Sequence, residues 1–570
     1  MPIKKRLGQT TFGLSLVICL AGFTRPQILK TPVEEAGYTA YSQNEDIAKF
    51  LSLADVASKE MDVRIVGRTK DVEGYPAHDI FLCILTEEGA DSPTTLNREK
   101  PTLLLIASQH GNEQSAKEAA LRLIRDIVFS DLQPLLKKIN VLVIPQSNPY
   151  GNFHDVRENE IGLDLNRDHV KMETESVKAI HRVFRAWMPE MTIDVHEKGD
   201  DYYRVSIGCV SNVNIAPGLQ EFSRKALLGE VETALQKQKL TFHEYLVTED
   251  LGVDTSSGAK MPESADRGNV EEMKRYSTTD LNDGRNSLGI YETLSFIQEG
   301  ASRHDIETLE ARSRWQYFGI RCLAESAAAH AAEILKLVRE DRARLLERAS
   351  ARATDDFVHL RMEYVRDPEV PALVLKRFER SESPVRGILL VDKKAGEALT
   401  SLDIAPYPGP AGLKIVNEVI QNWFPNVAPR LSVSRPAGYV IPAGRQAVVQ
   451  TLLDHGIEVE MFTKDGPLEV EAYMITDLVP AAEDYLAPKK IDAEKKTLLT
   501  IVRKGDYYVS CLQAGANLIP GLLEPQLDYG LIRYWKYKLV PEKGEIFAFY
   551  RMVKTPGVSM IPYKRWELGY

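Results

Sequence analysis

The chain has 570 residues, of which 44% are hydrophobic and 27% charged, and a formal net charge of −10. That length exceeds what one hydrophobic core organises, so two folded parts are expected. The acidic balance excludes a nucleic-acid or anionic-lipid surface as the main interaction face. At the start, Lys4, Lys5 and Arg6 precede an apolar run from Phe12 to Phe23. That is the pattern of an export signal over residues 1–25, too short to span a bilayer comfortably. A secreted or periplasmic protein is implied, with an uncleaved N-terminal anchor as the alternative and no other membrane contact. Cys19 lies inside this run. The other cysteines, Cys83, Cys209, Cys322 and Cys511, are scattered singly with no CxxC pair, which fits neither a disulfide framework nor a thiolate metal site. Cys83 and Cys209 fall in apolar segments, where a small buried hydrophobe is expected.

After a helix-like NEDIAKFLSLADVAS, two strands are predicted, MDVRIVGRT and AHDIFLCILT, joined by a turn around EGYP. Strands and helices then alternate. PTLLLIAS leads to the helix SAKEAALRLIRDIVF, then INVLVIP, the helix ETESVKAIHRVFRAWM, the strand MTIDVHE, RVSIGCVS, KLTFHEYLV and LGIYETLSF. A helical stretch from His304 to about Ser350 follows. Alternation of this kind predicts an α/β domain, residues 38–345, with a mixed central sheet flanked by helices. Beyond Asp355 the texture changes to short strands and Pro/Gly turns, such as PYPGPAG, RPAGYVIPAG and KDGPLEVEAYMI. Residues 356–570 therefore read as a smaller, β-rich accessory domain, with a boundary near 350–360. Its tyrosines are expected to serve core and edge packing rather than binding.

In open α/β sheets, ligands gather at the carboxyl ends of the strands. There PTLLLIAS delivers His110 and Glu113, INVLVIP delivers Asn148, and MTIDV delivers His196. A turn opening a helix brings positions i and i+3 to one side, with Gly111 permitting a tight path. His110 and Glu113 can then share a cation, and His196 from a neighbouring strand end completes three protein ligands. A His₂Glu set with a fourth open position is the pattern of a catalytic zinc site. Asp164 or Asp194 is a candidate to orient a ligand histidine. Glu292 reads as the interior of an apolar strand, on one face with Ile290 and Leu294. Glu299, between Gln298 and Gly300, reads as an exposed loop residue.

The stretch NPYGNFHDVRENEIGLDLNRDH adds a tight turn and then Arg157, Asn166 and Arg167 clustered in a loop. With these residues in place the chain resembles the zinc metallocarboxypeptidases of the carboxypeptidase A type, as a divergent bacterial-type member with a C-terminal accessory domain. The motifs that carry the resemblance are His110-xx-Glu113, NPYG with Arg157 and DLNR, His196 in DVHE, and a glutamate in YETLSF, across residues 38–340. The resemblance implies a carboxypeptidase-like fold, one zinc ion per chain on His110, Glu113 and His196, and an exopeptidase using a metal-activated water. It implies Glu292 as the general base and Arg157 as the group that stabilises the oxyanion. Asn166 and Arg167 would hold the free C-terminal carboxylate of a peptide substrate, cell-wall-type peptides included. Tyr276, sixteen positions before Glu292, is the candidate for the family's substrate-closing tyrosine. Two other functions fit parts of the pattern: a zinc deacylase of the aspartoacylase type, and a catalytically silent binding protein on the same scaffold. The NPYG and DLNR context, the length and the export signal speak against the first; the intact ligand set speaks against the second.

Overall fold

The computed structural model describes residues 29–199, 202–250, 272–276, 278–302, 308–378, 415–481, 488 and 490–564. The expected signal segment 1–25 and the PYPGPAG turn lie outside the described residues.

Among the described residues, ten strands belong to the first part of the chain: β1 Met61–Arg68, β2 Asp79–Leu85, β3 Thr102–Ala107, β4 Asn140–Ile144, β5 Met191–Lys198, β6 Val205–Cys209, β7 Phe242–Glu244, β8 Leu246–Asp250, β9 Glu272–Tyr276 and β10 Leu294–Ala301. Eight form one mixed sheet in the order β1-β2-β4-β3-β5-β10-β6-β7, while β8 and β9 make a separate antiparallel pair. Its centre is parallel, β4 with β3, β3 with β5 and β5 with β10, and β1, β2 and β6 join antiparallel. Every residue of β3, β4 and β10 is buried. Successive side chains point to opposite faces, so both faces are covered, as parallel strands require. Helix Ser115–Phe129 packs on helix Leu309–Ala329 and on the sheet, and Glu175–Trp187 packs on β1. The long helical stretch is two helices, Leu309–Ala329 and Ala331–Ala351, stepped at His330.

The second part is β-rich, with a seven-stranded sheet and smaller pairs. It has an apolar cluster of its own, with Val440, Phe462, Leu468 and Val470, and shares a larger one with the first part. One apolar cluster includes Ile47, Leu104, Ile193 and Phe296 together with Tyr439, Val449, Ile457 and Leu518. Polar links reinforce the junction: the His455 imidazole meets the Val170 carbonyl at 2.9 Å, and the Thr279 and Tyr529 hydroxyls lie 2.7 Å apart. Cys83 and Cys209 are both buried, the Cys209 thiol 3.9 Å from Glu244 Oε1. Burial pushes both thiols up, Cys209 to about 12, which removes them as nucleophiles.

The structure corrects the reading of YETLSFIQEG. The strand begins at Leu294, not before Glu292. Glu292 sits in the preceding turn with φ 55°, and its carboxylate accepts hydrogen bonds from the Ala216 amide (2.8 Å) and the Asn517 side chain (2.9 Å). It therefore ties the foot of β10 to the second part of the chain. At the strand rise, roughly 17 Å of β10 separates Leu294 from Glu299. Glu299 is not an exposed loop residue; it is buried inside the strand, near its carboxyl end.

Burial raises the Glu292 carboxyl to about 7. A folded-state pKa above the unfolded one favours the protonated form, so this contribution to stability is complete below about 4.5 and is lost as pH rises through about 7. Glu292→Gln, which stays neutral, is expected to gain in melting temperature relative to wild type across that window, with turnover nearly unchanged. A relative loss with rising pH in a calorimetric series would contradict the assignment.

Candidate active site

Three parallel strands end at one edge of the sheet and carry the polar residues there. Glu299 of β10 is register-paired with His196 of β5, and register partners present their side chains on the same face. The chain leaves β3 at Ala107, which pairs with Val195. Ser108 then adopts a left-handed conformation, φ 60°, a strained state for a residue with a Cβ. It turns the chain so that His110 and Glu113 come over the end of β5. Gly111 has no room for a side chain: a Cβ there would lie 2.0 Å from the Gly151 carbonyl carbon and 2.4 Å from the Val156 oxygen. The HGNE turn is thus pressed against the NPYG turn, whose Asn148 caps its short helix by accepting from the Gly151 amide (2.9 Å) and donates to the Gln109 carbonyl (3.1 Å). Those two motifs interlock.

His110 Nδ1 lies 2.7 Å from Glu113 Oε1, and His196 Nδ1 lies 2.8 Å from Glu113 Oε2 and 3.0 Å from His110 Nδ1. Their outer nitrogens face carboxylates: His110 Nε2 meets Asp164 Oδ1 at 3.1 Å and His196 Nε2 meets Asp194 Oδ2 at 2.7 Å. A carboxylate can only accept, so each Nε2 donates to its aspartate, and a cation in the cluster would leave each ring neutral with its Nδ1 lone pair turned inward. Two inward lone pairs and a carboxylate converge within 4.8 Å. This arrangement fits a cation, and two imidazoles with one carboxylate are a donor set suited to zinc. Asp164 and Asp194 each orient one histidine.

Electrostatics bind the cluster tightly. Burial raises the Glu113 carboxyl, but His110 and His196 outweigh it and hold it far below the usual range. Burial lowers His196, and Asp194 and Glu113 more than offset this. Asp164 is held down against burial by His110, Arg157 and Arg167. Arg157 donates from Nε to Asp164 Oδ2 (2.8 Å), and its Nη1 lies 3.8 Å from Glu113 Oε1. With its side chain 39% exposed, it is a cation at the mouth of the cluster.

Burial pushes Glu299 up to about 7, with the His196 side opposing and Glu113 reinforcing. Glu292 shows a shift of the same size, so the shift alone does not separate them; the register beside His196 does. Tyr245, just beyond β7, hydrogen-bonds to Glu299, and burial raises its phenol strongly. Sequence reading missed Tyr245, although it sits in the KLTFHEYLV strand segment that was recognised.

The remaining expected residues divide. Arg167 lies in the same loop, with Nη1 donating to the Asn166 carbonyl (2.6 Å), near Asp164 and Asp280. Asn166 departs from the expectation that its amide faces substrate. Its Oδ1 accepts from the Gly284 amide (2.7 Å) and its Nδ2 lies 3.2 Å from His196 Nε2. It therefore packs behind the ligand ring, on the edge away from the cluster. Tyr276 also departs: its ring is edge-on to Trp423 with centroids 4.7 Å apart, and the Arg224 guanidinium covers it at 4.6 Å. Burial there pushes its phenol up to about 12. These contacts hold it in packing.

Comparison with known proteins follows the same line. The zinc carboxypeptidase family profile matches residues 60–185, a span that contains His110, Glu113, Arg157, Asn166 and Arg167 and stops short of His196 and Glu299. Carboxypeptidase 2 of Trichophyton rubrum is 23% identical over 464 residues, covering 78% of this chain and 75% of that protein. Carboxypeptidase 2 of Trichophyton equinum is 23% identical over 483 residues, covering 80% and 78%. A solved metallo-carboxypeptidase from Pseudomonas aeruginosa, in complex with (2-guanidinoethylmercapto)succinic acid, aligns over 52% of this chain and 71% of its own at 22% identity, with a TM-score of 0.37.

Removing any one of three ligands should weaken metal retention, since the set has no redundancy. His196→Ala and His110→Ala are expected to lose stoichiometric zinc, read by elemental analysis after gel filtration, while keeping a cooperative melt. Full zinc retained in His196→Ala would overturn the site.

Proposed function

We propose that the chain is a metallocarboxypeptidase of the zinc carboxypeptidase type that removes the C-terminal residue of peptides, with Glu299 as the general base. The observation that carries this reading is the convergence of His110 Nδ1, Glu113 and His196 Nδ1 on one point, with Glu299 beside His196 on the neighbouring strand. When bound, zinc supplies Lewis-acid polarisation of the scissile carbonyl and activates a water.

The chain's own residues do the rest. Glu299, held near neutrality by burial, takes a proton from the attacking water on its carboxylate and passes it to the leaving amine. Tyr245, bonded to Glu299, fixes that carboxylate's orientation. Arg157 stands at the mouth of the cluster, where its guanidinium stabilises negative charge developing on the carbonyl oxygen. Arg167 offers a planar fork to the substrate's terminal carboxylate, the contact that restricts cleavage to a chain end. Asn166 keeps His196 and the Gly284–Gly289 helix in place rather than touching substrate. The basic and then apolar start of the chain supports export, so peptides outside the cytoplasm are the substrates we assign.

Glu299→Gln is expected to keep zinc and peptide binding while kcat falls by about two or more orders of magnitude, the scale of a general base. Steady-state kinetics with zinc content checked on the same sample decide this; wild-type turnover in Glu299→Gln would remove the base assignment. Amidated peptides are expected to be poor substrates, and Arg167→Ala should lose on the order of 2–5 kcal/mol of transition-state binding to free-carboxylate peptides. Equal cleavage of amidated and free peptides would replace the exopeptidase reading with an endopeptidase or amidase.

A further inference from the structure

Behind His196, a line of buried side chains runs away from the cluster toward the second part of the chain. Asp194 Oδ2 accepts from His196 Nε2 (2.7 Å) and also from Gln109 Nε2 (2.7 Å). Gln109 Oε1 lies 2.8 Å from His169 Nε2, and His169 Nδ1 lies 3.0 Å from His181 Nε2. The His181 ring is edge-on to His455, with centroids 5.3 Å apart. Gln109, His169 and His181 are each fully buried.

The direction of every bond in this line is determined. Asp194 can only accept, so the Gln109 amide must present its NH₂ there and its oxygen toward His169. That oxygen needs a donor, so His169 carries its hydrogen on Nε2 and turns an acceptor Nδ1 to His181. His181 must then carry its hydrogen on Nε2 and leave Nδ1 bare. The structure agrees at the end of the line, where His181 Nδ1 is buried with no hydrogen-bond partner, as a terminal acceptor would be. Burial lowers all three rings, His169 to about 4, His181 well below its ordinary value and His455 to about 4, so each is neutral and has one defined tautomer. Gly284 packs closely on this line: a Cβ there would come within 2.7 Å of Gln109 Nε2 and 2.8 Å of Asp194 Oδ2.

We propose that Gln109 and His169 are positioning residues for the metal ligand His196: through Asp194 they fix its Nε2–H tautomer and aim its Nδ1 lone pair at the cluster. This rests on the metal-site reading above. A flip of the Gln109 amide would place its oxygen against Asp194, two acceptors in contact. The hydrogen on His169 Nε2 prevents that flip, because the flipped amide would meet it donor to donor. Asn166 Nδ2, 3.2 Å from His196 Nε2, is itself a donor and offers that N–H no acceptor, so the Asp194 carboxylate keeps it. His455 forms the wall that keeps His181 in line. None of these residues approaches the reacting atoms, so their effect is read in how well His196 holds the ion.

The test is zinc affinity of the full chain, measured by competition with a chromogenic chelator, beside thermal melts and the kcat and KM of zinc-saturated enzyme. His169→Leu and Gln109→Leu should each weaken zinc binding by about 10–100-fold, the range for outer partners of metal ligands, with kcat falling more than KM rises. His169→Gln, which retains a donor at the Nε2 position, should recover most of the lost affinity at a similar melting temperature. The double variant should bind zinc about as weakly as the poorer single one, because both cut the same line. Should His169→Leu fail to fold, Gln109→Leu carries the same readout. Wild-type affinity in a folded Gln109→Leu or His169→Leu, or no recovery in His169→Gln, overturns the proposal while leaving the metal site intact. Absence of zinc binding by the wild type would instead bring down the metal site, and this inference with it.

Discussion

The site depends on the parallel pairing of β5 with β3 and β10, in a register that brings their carboxyl ends level. Parallel strands cannot be joined by short hairpins, so each pairing collects residues far apart in sequence at one edge. His196 and Glu299 are 103 positions apart in numbering and directly paired in the sheet. A slip of one residue in β10 would send Glu299 to the opposite face. Two buried features hold that register. The Thr192 and Ser295 hydroxyls meet across the pair at 2.5 Å, and Glu292 pins the foot of β10.

Concentrating ionisable groups at a buried strand edge is costly unless each is paired. Here the pairing is nearly complete and graded by distance from the cluster. Carboxylates stand next to the ligand histidines, where Asp164 and Asp194 each accept from one ring. Further back, charge gives way to the amide of Gln109 and the neutral rings of His169 and His181. Glu299, bonded to Tyr245, is a carboxylate raised by burial with Glu113 nearby. Its register position beside His196, rather than the shift it shares with Glu292, is what suits it to moving a proton. The second part of the chain takes part in this scaffold, since Asn517 and His455 reach into the same buried region.

Much of this was legible in the sequence because its signals are local. HxxE, NPYG and DLNR are short spacings, and a glycine that the packing demands, Gly111, stands out within them. The apolar runs ending in His110 and His196 located the edge of the sheet. What failed was the placement of a strand boundary. Glu292 and Glu299 flank the same apolar run, and two-residue periodicity applied too early made the first glutamate the strand residue. The rule that ligands gather at carboxyl ends, applied to that run as it was to the others, points to Glu299. The packing of Tyr276 and Asn166 was not legible for a different reason. Their partners, Trp423 and Gly284, are distant in sequence, and no local pattern announces that a tyrosine is covered by an arginine or that an amide is spent on a helix end. The line from Gln109 to His181 was invisible for the same cause, being made of single residues from separate segments.

Anomalous diffraction at the zinc edge, from crystals of the full chain grown with one equivalent of zinc, tests the central claim most directly. The account predicts one peak within bonding distance of His110 Nδ1, Glu113 and His196 Nδ1, with Glu299 facing it from β10 and Glu292 remote. A peak elsewhere, a zinc held through Nε2 of either histidine, or Glu292 in the place of Glu299 would contradict it.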